Sequence, residues 1–237
     1  MSDIKNKVIL ITGGSKGIGL GVAHMLLREG AKVAITGRNQ NAVQRVANEL
    51  KNQFGDQIIG LAADVRSFED QERCVAEILN RWDRLDVLVA NAGVGHFGSI
   101  ETLTPAQWNE TIDINLTGVF YSVKATLDAL KKSRGYVITI ASLAGTNFFA
   151  GGAAYNASKF GLVGFSQAMM LDVRSAGIKV TTIMPGSVAT NFNNHEPSAA
   201  DAWKIQPEDV GQIVVDLLQM HPRVLPSKVE VRPTIPK

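Results

Sequence analysis

Thr12-Gly13-Gly14-Ser15-Lys16-Gly17-Ile18-Gly19 decides the fold, because of what stands on either side of it. Before it runs Val8-Ile9-Leu10-Ile11, a short apolar and β-branched stretch that reads as a strand ending at Thr12. After it, Ile18 to Arg28 has helical spacing and is closed by Gly30. Glycines at a strand-to-helix junction let the backbone turn tightly and approach a pyrophosphate resting on the unpaired N–H groups of the helix. The spacing is G-x-x-x-G-x-G rather than the commoner dinucleotide spacing G-x-G-x-x-G. Such a loop alone also marks an ordinary turn; its place between strand and helix is what points to dinucleotide binding.

Outward from this loop the same alternation continues. Strands are expected at Lys32 to Thr36, Ile58 to Ala62, Val87 to Ala90, Tyr136 to Ala141, Lys179 to Met184 and Lys228 to Arg232. Helices are expected at about Asn41 to Asn52, Phe68 to Trp82, Pro105 to Lys131, Ala154 to Ser175 and Pro207 to Gln219. Strands apolar on both faces, each followed by a helix, indicate a parallel sheet covered on both sides. With right-handed crossovers this is a Rossmann-like, doubly wound α/β fold of about seven strands, one domain over residues 1–237.

The composition narrows the function classes. The chain has 237 residues, 45% hydrophobic, with 24 Lys+Arg against 22 Asp+Glu. That balance gives no electrostatic reason to expect nucleic acid or an anionic membrane as partner. The charged segment Asp3 to Lys7 precedes an apolar run too short for a signal sequence, and no stretch approaches a membrane span, so a cytoplasmic location is expected. Cys74, the single cysteine, has no internal partner and lies in a helical stretch. His24, His96, His195 and His221 are scattered without ligand spacing, so no metal site is expected. His96 follows a turn and reads as a pocket-lining residue or a locally bonded loop histidine.

The G-x-x-x-G-x-G loop resembles the cofactor motif of the short-chain dehydrogenase/reductases, and residues 5–232 fall into register with that family. The resemblance implies a cofactor site made of Gly13, Ser15, Lys16, Gly17, Ile18 and Gly19. It adds Asp64, after the third strand, as partner of the adenine amino group, with Val65 beside it. It implies Asn91-Ala92-Gly93 after the fourth strand, where Ala90 replaces an asparagine of the family and leaves one structural hydrogen bond open. It implies that Pro185, Gly186, Val188 and Thr190 hold the nicotinamide carboxamide. Similarity to 3-oxoacyl-acyl-carrier-protein reductases and general carbonyl reductases makes oxidoreduction the expected activity.

Charge at the second strand's end selects the cofactor. A carboxylate there would bond the ribose 2′-hydroxyl and repel a 2′-phosphate. The chain has Gly37 and then Arg38, whose planar fork suits a phosphate, with Lys16 as a second cation. Solvated turn cations look the same in sequence; the missing carboxylate favours NADP(H).

Tyr155 and Lys159 lie four residues apart in a helical stretch and so share one face. Reducing a carbonyl needs a proton donor, and an ammonium beside a phenol lowers its pKa from about 10. Ser142 ends a strand at the carboxyl edge, where a hydroxyl can polarise a carbonyl or merely cap the strand. Asn115, within a long helix, either bends it or holds a water near Lys159. In the family that the chain resembles, residues matching Asn115, Ser142, Tyr155 and Lys159 form the active site.

The remaining expectations are looser. Asn191 to Gln206 reads as a short substrate lid with Trp203 its one large anchor, open to small ketones, hydroxy compounds or a 3-oxoacyl thioester. Phe148 and Phe149 read as pocket wall or core. The basic cluster Lys131-Lys132-Arg134 ends a helix, where it complements the dipole or receives an acidic carrier protein. Phe160 to Val173 is apolar on more than one face, which points to a homodimer or homotetramer. A non-catalytic NADP(H)-binding regulator is the alternative that keeps the fold but drops the chemistry.

Overall fold

The chain builds its core from the middle of one sheet outward. A computed structural model describes residues 4–236; Asp3 of the charged segment and both ends of the 1–237 domain expectation lie outside them. The first strand, β1 (Val8–Ile11), is buried along its whole length and its side chains alternate in destination. Ile9 and Ile11 enter one apolar cluster, Val8 and Leu10 the other. The period-2 geometry of a strand forces this split. Burying each such side chain contributes roughly 1.5–3 kcal/mol.

The first cluster is closed by α1 (Gly17–Arg28), α2 (Gln40–Phe54) and α7 (Pro207–Gln219). The second lies beneath α3 (Phe68–Trp82), α5 (Gly118–Ser133) and α6 (Ala153–Val173). Between the two layers runs a seven-stranded parallel sheet in the order β3-β2-β1-β4-β5-β6-β7. The other strands are β2 (Lys32–Gly37), β3 (Ile58–Ala62), β4 (Val87–Ala90), β5 (Tyr136–Ile140), β6 (Lys179–Pro185) and β7 (Lys228–Val231). The order reverses between β1 and β4, and ligands bind outside the carboxyl ends of strands at such a switch point. On the edge strand β7, Lys228 and Glu230 are exposed, and charge there discourages pairing with another sheet.

Helix boundaries follow local chemistry. Ser67 caps α3 by accepting from the Asp70 N–H at 3.1 Å. Thr104 and Gln107 form a capping box at α4 (Pro105–Ile112), with proline at the first turn. The long helix expected from Pro105 onward is interrupted, however. Asp113–Thr117 forms a π turn between α4 and α5, and Asn115 stands inside it. A π turn within an α-helix frequently accompanies a functional residue. Among the described residues, no helix is long and apolar enough to cross a membrane.

Candidate active site

The loop after β1 is shaped by what its glycines must touch. Gly13 and Gly17 have φ of 65° and 55°, a region that strains any side chain. A Cβ on Gly13 would lie 2.9 Å from the Ala92 Cα, and one on Gly19 would lie 2.5 Å from Asn91 Nδ2. The loop is therefore pressed onto the turn after β4. Asn91 clamps it there by donating Nδ2 to the carbonyls of Thr12 and Gly13, at 2.9 and 3.0 Å. The N–H groups of Asn91 and Ala92 both donate to Thr12 Oγ1 at 3.1 Å. Ala90, which stands where the family has an asparagine, packs in the core. Helix α1 has no acidic residue in its first turn and no side-chain cap, so its N-terminal N–H groups face the cleft unopposed.

That cleft has a volume of about 760 Å³ and runs across the carboxyl ends of the strands. At one end lie Ser15, Lys16, Ile18, Gly37, Arg38, Asp64 and Val65; at the other, Ser142, Tyr155, Pro185, Gly186, Val188 and Thr190. Asn91, Ala92, Gly93 and Lys159 lie along it as well. The Thr36 hydroxyl lies buried at this cleft without a hydrogen-bond partner among the described residues.

Two carboxylates at the first end have partners that sequence order does not show. Asp64 takes the Arg66 guanidinium on both oxygens, and this pair holds its carboxyl below the usual range. Glu110, from α4, accepts from His96 Nε2 at 2.8 Å and stands 3.7 Å from Arg38. His96 is therefore both locally bonded and part of the cleft lining.

The residues of the other end come from three elements. Ser142 follows β5, and its Oγ accepts from the Ala144 N–H at 3.1 Å, capping a short turn. Tyr155 and Lys159 share the inner face of α6, with Nζ 5.7 Å from the centre of the tyrosine ring. Lys159 is buried, donates to the Ile140 carbonyl at 3.0 Å, and is pushed down to about 8 by burial. Burial pushes the Tyr155 hydroxyl up, and a hydrogen bond from Ser142 opposes this. The net upward direction differs from the lowering expected from the lysine, because desolvation of the phenolate outweighs the Ser142 hydrogen bond. Asn115 is 0% exposed and spends its amide on positioning. It accepts from the Val94 N–H and donates to the Val94 carbonyl, both at 2.8 Å, and donates to Ser158 Oγ at 3.0 Å. This ties the π turn to the β4 loop and to α6 together.

Several side chains of this region have no forerunner in the motifs. Asn156 donates to the carbonyls of Ala144 and Asn147 at 2.7 and 2.8 Å, pinning the loop after Ser142 onto α6. Ser158 donates to the Tyr155 carbonyl at 2.8 Å. Phe97 and Phe192 meet Tyr155 and Phe149 packs on Phe97 behind them, whereas Phe148 is 83% exposed and stacks on Phe160, so it is neither core nor pocket wall. Trp203 is not the lid's one large anchor, because Phe192 reaches the tyrosine ring directly. Aromatic residues in the loops leaving β4, β5 and β6 were the available signal. The lid is tied down by Asp201, which accepts from His195, from the Ser198 N–H and from Lys204. These partners hold its carboxyl well below the usual range. Cys74 is buried in the second core layer, and burial pushes its thiol up to about 12, so it is chemically quiet.

A family model for the short chain dehydrogenases matches residues 7–201. A Streptomyces coelicolor protein named as a candidate ketoacyl reductase is 34% identical, over 97% of this chain and 89% of its own length. Among solved structures, an alcohol dehydrogenase from the archaeon Thermococcus sibiricus, complexed with 5-hydroxy-NADP, is 28% identical with a TM-score of 0.92, covering 98% of this chain and 99% of that one. A 3-ketoacyl-acyl-carrier-protein reductase from Brucella melitensis, complexed with NADH, is 25% identical with a TM-score of 0.89 and 98% coverage of both chains. The match over most of the chain, on a sheet and a loop built as described, means that this protein belongs to the short chain dehydrogenase family.

Proposed function

We propose that the chain is an NADP(H)-dependent oxidoreductase that interconverts a carbonyl and a secondary alcohol. The observation that carries this is the meeting of Ser142, Tyr155 and Lys159 at one end of the cleft, with the glycine loop and Arg38 at the other. The residues present fit such a cofactor. Gly13, held bare against Ala92, lines the cleft, and the α1 N-terminus offers N–H groups to phosphates. Arg38, with 54% of its side chain exposed, and Lys16 would take the 2′-phosphate. Asp64 and Val65 would flank the adenine, Asn91 to Gly93 the middle, and Pro185, Gly186, Val188 and Thr190 the carboxamide. When bound, the cofactor supplies hydride chemistry.

The chain's own residues manage the proton. Ser142 Oγ donates to the substrate carbonyl oxygen and stabilises the charge developing there. Tyr155, kept protonated by burial, donates its hydroxyl proton to the same oxygen, so the arrangement suits reduction near neutral pH. Lys159 has one bond, to Ile140, and two further hydrogens for a ribose hydroxyl. Its charge favours the phenolate once the proton has left. Asn115 is a positioning residue. Relatives named as ketoacyl reductases and an alcohol dehydrogenase bracket the substrate between 3-oxoacyl thioesters and simpler ketones.

Phe120 on α5 is exposed and meets the half-buried Phe165 of α6 at 6.2 Å, while Phe160 and Leu171 are exposed on another side of α6. Apolar surface on more than one side of α6 supports a homodimer or homotetramer, for which sedimentation at micromolar concentration is the check; a monomer would refute it. The cofactor reading is tested by Arg38→Asp, measured as the ratio of kcat/KM with NADPH to that with NADH. A fall of about tenfold to a hundredfold is expected for loss of a charge-assisted phosphate contact worth roughly 1.5–3 kcal/mol. An unchanged ratio would remove the assignment.

A further inference from the structure

The lining around Tyr155 is aromatic to an extent that proton chemistry does not require. Phe97 meets the Tyr155 ring edge-on at 5.3 Å and Phe192 meets it at 5.7 Å. Phe97 and Phe192 are 6.3 Å from each other, and Phe149 braces Phe97 from outside at 5.8 Å. The three come from the loops leaving β4, β5 and β6 and are far apart in sequence. Their convergence needs a backbone that yields to them. A Cβ at Gly95 would sit 2.7 Å from the Phe192 ring and 2.9 Å from Phe97, so both rings rest against bare main chain. Phe149 is fixed through its N–H, which donates to Asn156 Oδ1 at 3.4 Å. Yet Phe97, Phe149 and Phe192 remain 42%, 48% and 36% exposed as residues. They are held in place without being buried, as befits a surface that something else covers.

The charges nearby are already engaged. Lys204 and His195 line the cleft at this end, and both are held by Asp201. His96 is held by Glu110, and Lys159 by the Ile140 carbonyl. A carboxylate or phosphate on the substrate would have to break one of these pairs, whereas an apolar group gains the open ring surface.

We propose that the substrate is a neutral ketone carrying an aryl or similarly broad apolar group, seated against Phe97 and Phe192 beside the Tyr155 hydroxyl. This rests on the reading of Tyr155 as proton donor and narrows it to one substrate class. In the reduction, the carbonyl carbon accepts hydride from the reduced nicotinamide and the oxygen accepts the Tyr155 proton. The C=O π bond breaks, new C–H and O–H bonds form, and the secondary alcohol leaves with an oxidised nicotinamide.

The test compares kcat/KM for NADPH-dependent reduction of acetophenone, acetoacetate and acetoacetyl-CoA. Acetophenone is expected to exceed acetoacetate by about thirtyfold or more, the equivalent of burying one aromatic face at roughly 2 kcal/mol. Phe97→Ala and Phe192→Ala are each expected to raise the KM for acetophenone about tenfold while the NADPH Kd, read by fluorescence, stays unchanged. Phe97→Leu should recover part of the loss. Equal use of acetoacetate, preference for the thioester, or a KM untouched by both alanine variants would overturn the proposal and leave the reductase reading standing. If no carbonyl oxidises NADPH, the reductase reading fails by itself. Saturation-transfer NMR of acetophenone with the NADP-loaded protein then decides the apolar site. Binding lost in the Phe97→Ala/Phe192→Ala double variant upholds it, and no binding to the wild type rejects it.

Discussion

The two ends of the cleft are built from different materials. At the glycine-loop end the surface is main chain: Gly13, Gly17 and Gly19 have no room for a Cβ or no conformation that tolerates one, and Asn91 ties down the Thr12 and Gly13 carbonyls. At the Tyr155 end the surface is side chain, with Phe97 and Phe192 meeting from two loops and Phe149 of a third bracing Phe97. A surface of N–H groups recognises phosphate by charge and geometry that few substitutions preserve. A surface of rings recognises shape and apolarity, and can be altered ring by ring. Within one fold, the first end resists change in specificity and the second invites it.

At the side-chain end, Tyr155 itself gives the largest expected effect. Tyr155→Phe should lower kcat by about 10²–10⁴ with no change in the circular dichroism spectrum, since only a proton donor is removed. Turnover near the wild-type value would dissolve the division of labour proposed for that end. Lys159→Met should also abolish most activity while raising stability at neutral pH. In the folded chain Lys159 loses its proton near 8; in the unfolded chain it keeps it to about 10.5. The unfolded state therefore binds more protons between these values, and stability rises as pH climbs through that window. Below it the folded state carries the full penalty of a buried charge, roughly 3 kcal/mol at most, partly offset by the bond to Ile140. Urea midpoints at neutral pH and near pH 10 should show the variant's advantage shrinking, and an advantage independent of pH would rule out the buried charge as its cause.

At the main-chain end, Gly13→Val should weaken NADPH binding by about tenfold to a hundredfold, through roughly 1–3 kcal/mol of backbone strain and the clash with Ala92. Acetophenone binding should change far less, and parallel losses would mean that the two ends are not separable. The smallest effect is expected from Asn156→Ala, which frees the loop carrying Phe149. Stability should fall by about 1–3 kcal/mol as buried carbonyls lose their donor, and the KM for acetophenone should rise more than that for NADPH. Equal changes in both would place Asn156 in the common scaffold instead.

How much of this was legible without coordinates follows the same division. Strand and helix positions could be read because a strand buried on both faces is a short unbroken apolar run, as at Val8 to Ile11, and burial on a helix face repeats every three or four residues, as in Phe68 to Trp82. The glycine loop was legible because a backbone requirement for positive φ leaves glycine at fixed spacing. Tyr155 and Lys159 could be paired because one helical turn carries both. The direction of the tyrosine's shift was misjudged, since spacing reports proximity to a cation but not the desolvation of the hydroxyl. The π turn was missed as a π turn because Asn115 satisfies it with the backbone of Val94, a residue on another element.

Sequence by itself determined the layered parallel sheet, the glycine turn between β1 and α1 and the placing of Tyr155 and Lys159 on one helix face, all consequences of short-range pattern and local backbone chemistry. Only the tertiary structure decided which charges are already spoken for, as with Glu110 on His96 and Arg38, Arg66 on Asp64, and Asp201 on its three lid partners. It alone decided that Phe97 and Phe192, from separate loops, share one wall, with Phe149 of a third loop behind Phe97. The reason is that loop paths are fixed by packing against neighbouring elements, and no local pattern encodes where two distant loops will meet.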